Sequence, residues 1–306
     1  MRKNIFCIGL QNMGDVLIRD IIADVIGWSN VRYTSSAHLS NFYAIGSGLK
    51  KYEYKGSYKN KAFQYVCGRL LPDLTVWGAG FISYSDNDMP FYKRNIKFAA
   101  LRGELTKKRV ENIIGRELDI PLADPGLLAS RLLKEPVEKR YDVGIIAHFR
   151  EQDEPAFKRM MDYYPNSTFI DIKGSPSTVI KAIATCKCII SSSLHGLITA
   201  DSLGIPNIHT VVSDKLRGDG YKFDDYYSAF NVKHPFIDGN GTLPSLDWIK
   251  SSYCIDNSVV KYKQKQLVDA VTLKKSHIIQ LRILTCLVLN FFGKESSFTY
   301  GFIIII

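Results

Sequence analysis

The stretch Ile189-Ile190-Ser191-Ser192-Ser193-Leu194-His195-Gly196-Leu197-Ile198 continues as Thr199-Ala200-Asp201-Ser202-Leu203-Gly204-Ile205-Pro206. A short apolar run, Ile189 to Ser191, meets hydroxyls and a histidine; apolar residues then recur at helical spacing from Leu197 to Leu203. Strand, polar turn and helix in that order form the repeating unit of a parallel sheet covered by helices. A helix start offers free backbone amides and the positive end of the macrodipole, so a phosphate or carboxylate can sit against His195 there. Histidine also exchanges a proton near neutral pH. The same residues fit a plainer reading in which the serines cap the helix and His195 is a hydrogen-bonded core residue.

The unit recurs on both sides. Around it lie strands at Val143 to Ala147, Thr168 to Ile172 and Ile208 to Val212, with helices at Ala156 to Tyr163 and Ser177 to Ala184. Toward the N-terminus, the apolar run Asn4 to Leu10 ends at the polar turn Gln11 to Asp15. Val16, Leu17, Ile18, Ile21, Ile22 and Val25 then follow at helical spacing. A further strand is expected at Leu74 to Gly80, and another at Lys97 to Leu101, where Arg102-Gly103 turns into a helix from Glu104 to Ile114. The charged run Lys134, Glu135, Pro136, Glu138, Lys139, Arg140 separates the two series. The reading is therefore α/β, with two Rossmann-like doubly wound domains, 1–133 and 134–257, facing a cleft, and a distinct segment at 258–306. In such a pair ligands sit beyond the carboxyl ends of the strands.

Length and composition fit this plan. With 306 residues and 46% hydrophobic content, each half can have its own core. Lys and Arg total 40 against 30 Asp and Glu, a formal charge of +10, which favours anionic partners. Nucleic acid is not expected, because no arginine-rich tract, zinc-finger spacing or aromatic RNA-binding motif is present. The six cysteines lack the spacing of a disulfide framework or zinc site and read as reduced core residues, with Cys186 and Cys188 on two faces of a strand start. No ligand triad at metal spacing appears, so neither metal nor cofactor is expected. The N-terminal Met1-Arg2-Lys3-Asn4 leads into a strand and not a signal peptide, which points to the cytoplasm. The last segment carries Lys261, Lys263, Lys265, Lys274, Lys275 and Arg282, then the apolar run Ile283 to Phe292 and Ile303 to Ile306. That run is shorter than the roughly 20 residues a spanning helix needs. It suits either a helix lying in the headgroup region at the inner face of the membrane or a packed C-terminal helix.

Several motifs share the order found in one family. They are Asn12-Met13-Gly14-Asp15, Trp77-Gly78-Ala79-Gly80, Arg102-Gly103, Asp124-Pro125-Gly126, the Ser-Ser-Ser-Leu-His-Gly stretch ending at Gly196, and Lys222-Phe223-Asp224-Asp225-Tyr226-Tyr227-Ser228. Together the chain resembles the polysaccharide pyruvyl transferases over about residues 1–235. The order and number of the motifs carry the likeness, since each is short. The resemblance implies a glycosyltransferase-B-like pair of domains. It also implies transfer of a pyruvyl group from phosphoenolpyruvate to a glycan or lipid-linked oligosaccharide during bacterial surface polysaccharide synthesis.

On that resemblance His195 is the general acid or the phosphate contact, and Arg102, a planar five-donor cation at a strand end, grips the donor's anionic groups. Arg102 could instead form a surface ion pair with Glu104. Ser193, Leu194 and Gly196 accompany His195 at the donor, joined by His148 and Arg150 beyond the first strand of the second half, unless those two lie on a solvated loop. Lys222 contributes from a mobile loop together with Tyr226 and Tyr227. On the acceptor side stand Asn12, Gly14 and Asp15, the last equally suited to cap its helix. Gly78 and Gly80 either leave room for substrate or fit a tight turn. Some members of the family place arginine where this chain has Ser193. Two rivals remain from the sequence alone: a nucleotide-sugar glycosyltransferase of similar architecture, and a non-catalytic, membrane-associated assembly protein.

Overall fold

The structure, a computed structural model, describes residues 3–7, 13–28, 31–53, 70–85 and 87–272. Two five-stranded sheets organise them. The first contains β1 (Lys3–Phe6), β2 (Val31–Thr34), β3 (Phe42–Tyr43), β4 (Leu74–Ala79) and β5 (Ile96–Leu101), in the order β2-β1-β3-β4-β5 with every pair parallel. The second contains β6 (Val143–Ile146), β7 (Ser167–Phe169), β8 (Ile189–Ser191), β9 (Asn207–Val211) and β10 (Phe236–Asp238), in the order β10-β9-β8-β6-β7, again all parallel. Counted from its own first strand, the second sheet has the same order as the first. Each sheet therefore reverses direction once, between β1 and β3 and between β6 and β8, and such a reversal opens a crevice at the strands' carboxyl ends.

The helices follow from the sequence by ordinary means. In α1 (Met13–Ile26), Leu17, Ile18, Ile21 and Ile22 form the buried stripe. After it, α2 (Glu104–Ile114) stops where Gly115 takes up a left-handed conformation, φ 69°. The second half contributes α3 (Pro155–Tyr163) and α4 (Pro176–Ala184), the latter capped by Ser175, whose hydroxyl accepts from the Thr178 amide. It continues with α5 (Leu194–Ser202), α6 (Tyr221–Ser228), α7 (Leu246–Ser252) and α8, residues 257–272.

Two expectations change. First, α5 begins three residues earlier than the apolar spacing suggested, so His195 stands inside its first turn. Ser191 Oγ accepts from the Ser193 amide at 2.9 Å, which closes the turn at once and lets Leu194 bury. Second, Lys222, Tyr226 and Tyr227 are not on a mobile loop. They belong to α6, with both tyrosines buried and the Tyr226 hydroxyl donating to Asp201 Oδ2 at 2.6 Å.

The two halves are not separate bodies. One hydrophobic cluster joins Ile5, Leu17 and Trp77 of the first to Ile146, Leu194 and Leu197 of the second. Of the two readings of the last segment, residues 258–272 take the packed one: they continue α8 against this cluster, where Leu267 is buried and its carbonyl accepts from Trp77 Nε1 at 3.0 Å. Lys263 is nearly buried and donates to the Leu122 carbonyl at 2.9 Å. Lys274, Lys275, Arg282, Ile283 to Phe292 and Ile303 to Ile306, on which the membrane expectation also rests, lie outside the described residues. No helix among those described is long and apolar enough to cross a membrane. Cys7, Cys186 and Cys188 are buried, whereas Cys254, read as a core residue, is exposed, since it follows the end of α7. Cys67 and Cys286 lie outside the described residues.

Candidate functional site

Arg102 directly follows β5, and its side chain is wholly buried. Nε donates to Asp225 Oδ2 at 2.8 Å, Nη1 to Ser47 Oγ at 2.6 Å and Nη2 to the Phe81 carbonyl at 2.6 Å. Asp225 is itself held by the Thr106 amide and hydroxyl, each at 2.7 Å. The partner of Arg102 is thus a carboxylate of α6 in the other half, and not Glu104 on the surface. Glycines make the approach feasible: a Cβ on Gly80 would stand 2.5 Å from Arg102 Nη2, and one on Gly103 would meet the Asp225 carbonyl. Three of the five guanidinium N–H groups are committed in this way, which fixes the cation's plane.

A cavity of about 110 Å³ opens beside this cation, where the loops after β3, β5, β6 and β8 converge. It is lined by Arg102, Asp124, His148, Ser193, Leu194, His195 and Lys222, with Gly46, Ser47 and Ile82 completing the wall. The imidazole of His195 lies directly on the first turn of α1, for a Cβ on Gly14 would stand 2.1 Å from its Nδ1. Burial, then Lys222 and Arg102, push His195 down to about 3, so its ring is neutral in the free protein. His148 is lowered to about 3 by burial, Lys222, His195 and Arg150. The His148 Nδ1 accepts from the Arg150 amide at 3.3 Å, which leaves the proton of the neutral ring on Nε2. Lys222 is lowered to about 8 by burial, with Arg102 and Arg150 adding repulsion and Glu151 opposing it. Several cationic or proton-bearing groups crowd one small space, an arrangement that favours an anion.

The remaining candidates are distributed unevenly. Ser193 is the N-cap residue of α5, makes no side-chain capping bond and lines the cavity with Leu194. Arg150 is exposed; its amide donates to His148 Nδ1, and its charge acts on His148 and Lys222. Gly196 turns to the core, where a Cβ would stand 2.6 Å from Ser191 Oγ. Gly78 has φ 80° at a bulge in β4 and is closed off by Pro125 and the Ala123 carbonyl, while Gly80 is covered by the Arg102 guanidinium. Asp15 lies within the first turn of α1 and not at its cap; its side chain and all of Asn12 fall outside the described residues.

Sequence reading missed Gly46, Ser47, Asp124 and Asp225 as site residues. β3, which delivers Gly46 and Ser47, is two residues long and leaves no periodicity. Asp124 stands before Pro125 and Gly126 and shows only the signature of a helix cap, which it also is: its Oδ1 accepts from the Gly126 amide at 2.8 Å. Nothing in Asp224-Asp225 tells which carboxylate faces inward. Among the described residues no group of three or more His, Cys, Asp or Glu gathers where it could hold a metal ion.

The chain is 28% identical over 245 residues to an uncharacterized protein of Acanthamoeba polyphaga mimivirus, covering 73% of this chain and 81% of that one. It is 26% identical over 169 residues to the succinoglycan biosynthesis protein ExoV of Rhizobium meliloti (strain 1021), covering 54% of this chain and 51% of that one. A crystal structure of a functionally uncharacterized protein from Klebsiella pneumoniae aligns with TM-score 0.43 and 15% identity, over 77% of this chain and 92% of that one. The family model for polysaccharide pyruvyl transferase matches residues 12–214, a span that contains β4, β5, β6, β8 and, of the cavity's lining, everything but Lys222. The chain belongs to the polysaccharide pyruvyl transferase family.

Proposed function

We propose that this chain transfers a pyruvyl group from phosphoenolpyruvate to two hydroxyls of a glycan, forming a ketal and releasing phosphate. The two sheets act as facing doubly wound units of the glycosyltransferase-B kind. The observation that carries the reading is that Arg102, from the end of β5, and His195, from the start of α5, line one cavity.

The donor brings a phosphate and a carboxylate, and both must be held while its methylene carbon gains a proton and its central carbon is attacked. Arg102 presents a fixed, planar cation to one anionic group. Lys222 and the amides at the start of α5 face the other. With these charges lining one small cavity, the donor is oriented before any bond changes. A trianion beside His195 and His148 favours their charged forms, so each gains affinity for a proton as the donor enters. His195 is then able to donate to the departing phosphate. On the side of α1 the His195 ring is backed by Gly14, which holds the imidazole in place against the cavity.

The volume also bears on the rival reading. At about 110 Å³ the cavity falls below the ~300–1,000 Å³ usual for drug-sized ligands, which suits a compact anion better than a nucleotide sugar. Incubation with phosphoenolpyruvate labelled in its carbon skeleton, beside a nucleotide-sugar control, separates the two. The expected result is label in the glycan with equimolar phosphate release; sugar transfer without label in the glycan contradicts it.

A further inference from the structure

We propose that Asp124 is the proton carrier of the transfer, giving a proton to the donor's methylene carbon and recovering one from the first acceptor hydroxyl; this rests on the pyruvyl-transfer reading above. Asp124 is the only carboxyl among the described residues that line the cavity. Its position is fixed by the backbone, since the Ala123 amide donates to the Leu101 carbonyl at 2.9 Å, which sets Asp124 beside Arg102 at the end of β5. Within the carboxyl the two oxygens differ. Oδ1 is tied to the Gly126 amide at 2.8 Å, while Oδ2 is buried with no hydrogen-bond partner among the described residues. A buried carboxyl oxygen without a partner costs free energy, and a ligand that meets it recovers that cost.

The charges around the group suit the task. Burial raises Asp124 to about 6; the Gly126 amide and Arg102 favour its ionised form and Asp225 opposes it. His148, His195 and Lys222 line the same cavity. A trianionic donor in that cavity favours the neutral acid further, so the carboxyl holds a proton at neutral pH when the donor is bound. Both imidazoles are neutral in the free protein and stand among cations, which makes them poorer first acids than a carboxyl already raised by burial.

The step balances. The Asp124 O–H bond breaks and a C–H bond forms at the methylene carbon, using the electron pair of the double bond. The first hydroxyl oxygen bonds to the cationic central carbon and its proton returns to Asp124. The carbon–oxygen bond to phosphate then breaks as His195 protonates the leaving group, the second hydroxyl closes the ketal, and its proton restores His195. The carboxyl ends as it began, and no other reactant is needed.

Asp124→Asn keeps the capping oxygen and the volume but cannot carry the proton, and Asp124→Ser keeps a capping acceptor with no carbonyl. Both variants are expected to melt cooperatively and to bind phosphoenolpyruvate in calorimetry. Their turnover is expected to fall on the order of 10²–10⁴-fold. Either folded variant turning over within about threefold of the unmodified protein overturns the assignment. A second readout needs no variant: substrate-saturated turnover of the unmodified protein should decline as the carboxyl ionises in the complex. A profile flat from about pH 6 to about pH 9 overturns the assignment even if neither variant folds. If the unmodified protein forms no ketal at all, the transfer reading fails, and that outcome is distinct from an active protein indifferent to position 124.

Discussion

Lys222 carries the charge most sensitive to conditions. Its amine is lowered to about 8, chiefly by burial, so the free protein loses this positive charge as the pH rises through that value. A bound donor pulls the proton back, so the loss appears in affinity and not in saturated turnover. Calorimetric titration with phosphoenolpyruvate is expected to show weaker binding at about pH 9 than at about pH 7, and Lys222→Arg, which stays charged, is expected to flatten that dependence. Equal pH dependence in both proteins would remove Lys222 from the donor site. Residues of this scale were legible in sequence where a charged or titratable group stood at a strand end beside glycine, as with Arg102-Gly103 and the run around His195. Asp225 was not, because its role arises from a partner 123 positions away, and no local pattern records such a pairing. Asp124 was visible only as part of the motif Asp124-Pro125-Gly126, with no site role, because nothing local shows that one of its oxygens caps a helix while the other faces the cavity.

At the scale of elements, the site depends on how closely α1 and α5 approach each other. Gly14 occupies the first turn of α1 with the His195 ring against its Cα. Alanine is the better helix former by ~1 kcal/mol, so on helix propensity alone Gly14→Ala should not lower stability. Its Cβ would nevertheless stand 2.1 Å from His195 Nδ1, and the ring must move. A displacement near 1 Å at reacting groups costs on the order of 10²-fold in rate. The expected outcome is a cooperative melt lowered by about 1–3 kcal/mol of overpacking together with such a loss of transfer; unchanged activity would show that the imidazole's position is immaterial. The elements themselves were read well where periodicity was clean: α2 and β8 fall where their apolar spacing puts them. α6 was read as a loop because Lys222-Phe223-Asp224-Asp225-Tyr226-Tyr227 mixes charge and aromatic rings on every side. Its helix is held by tertiary contacts, including Arg102 on Asp225 and Asp201 on Tyr226.

For the whole molecule, the sequence suggested two halves and a last segment that either lies at a membrane or packs as a helix, and the packing decides between them for residues 258–272. α8 runs back across the first sheet, Leu267 sits in the shared cluster, and the Trp77 indole donates to the Leu267 carbonyl. Residues 258–272 therefore belong to the folded body, which sequence periodicity could not reveal because their lysines mask the apolar stripe. Any membrane role proposed for the basic and apolar C-terminal residues must rest on 273–306. Truncation after residue 272 is expected to abolish flotation with anionic liposomes. Truncation after residue 256, by exposing the cluster and orphaning the Trp77 indole, is expected to cost on the order of 3–5 kcal/mol. Equal flotation of the full chain and the 1–272 form would remove the tail from any membrane attachment.

The claim on which the rest depends is that one anion-holding cavity between the sheets receives the donor. A crystal structure with phosphoenolpyruvate bound tests it most directly. The expected density lies within hydrogen-bonding reach of both the Arg102 guanidinium and the His195 ring, with the methylene carbon toward Asp124. Density for the donor elsewhere on the protein, with this cavity unfilled at saturating concentration, would contradict the account.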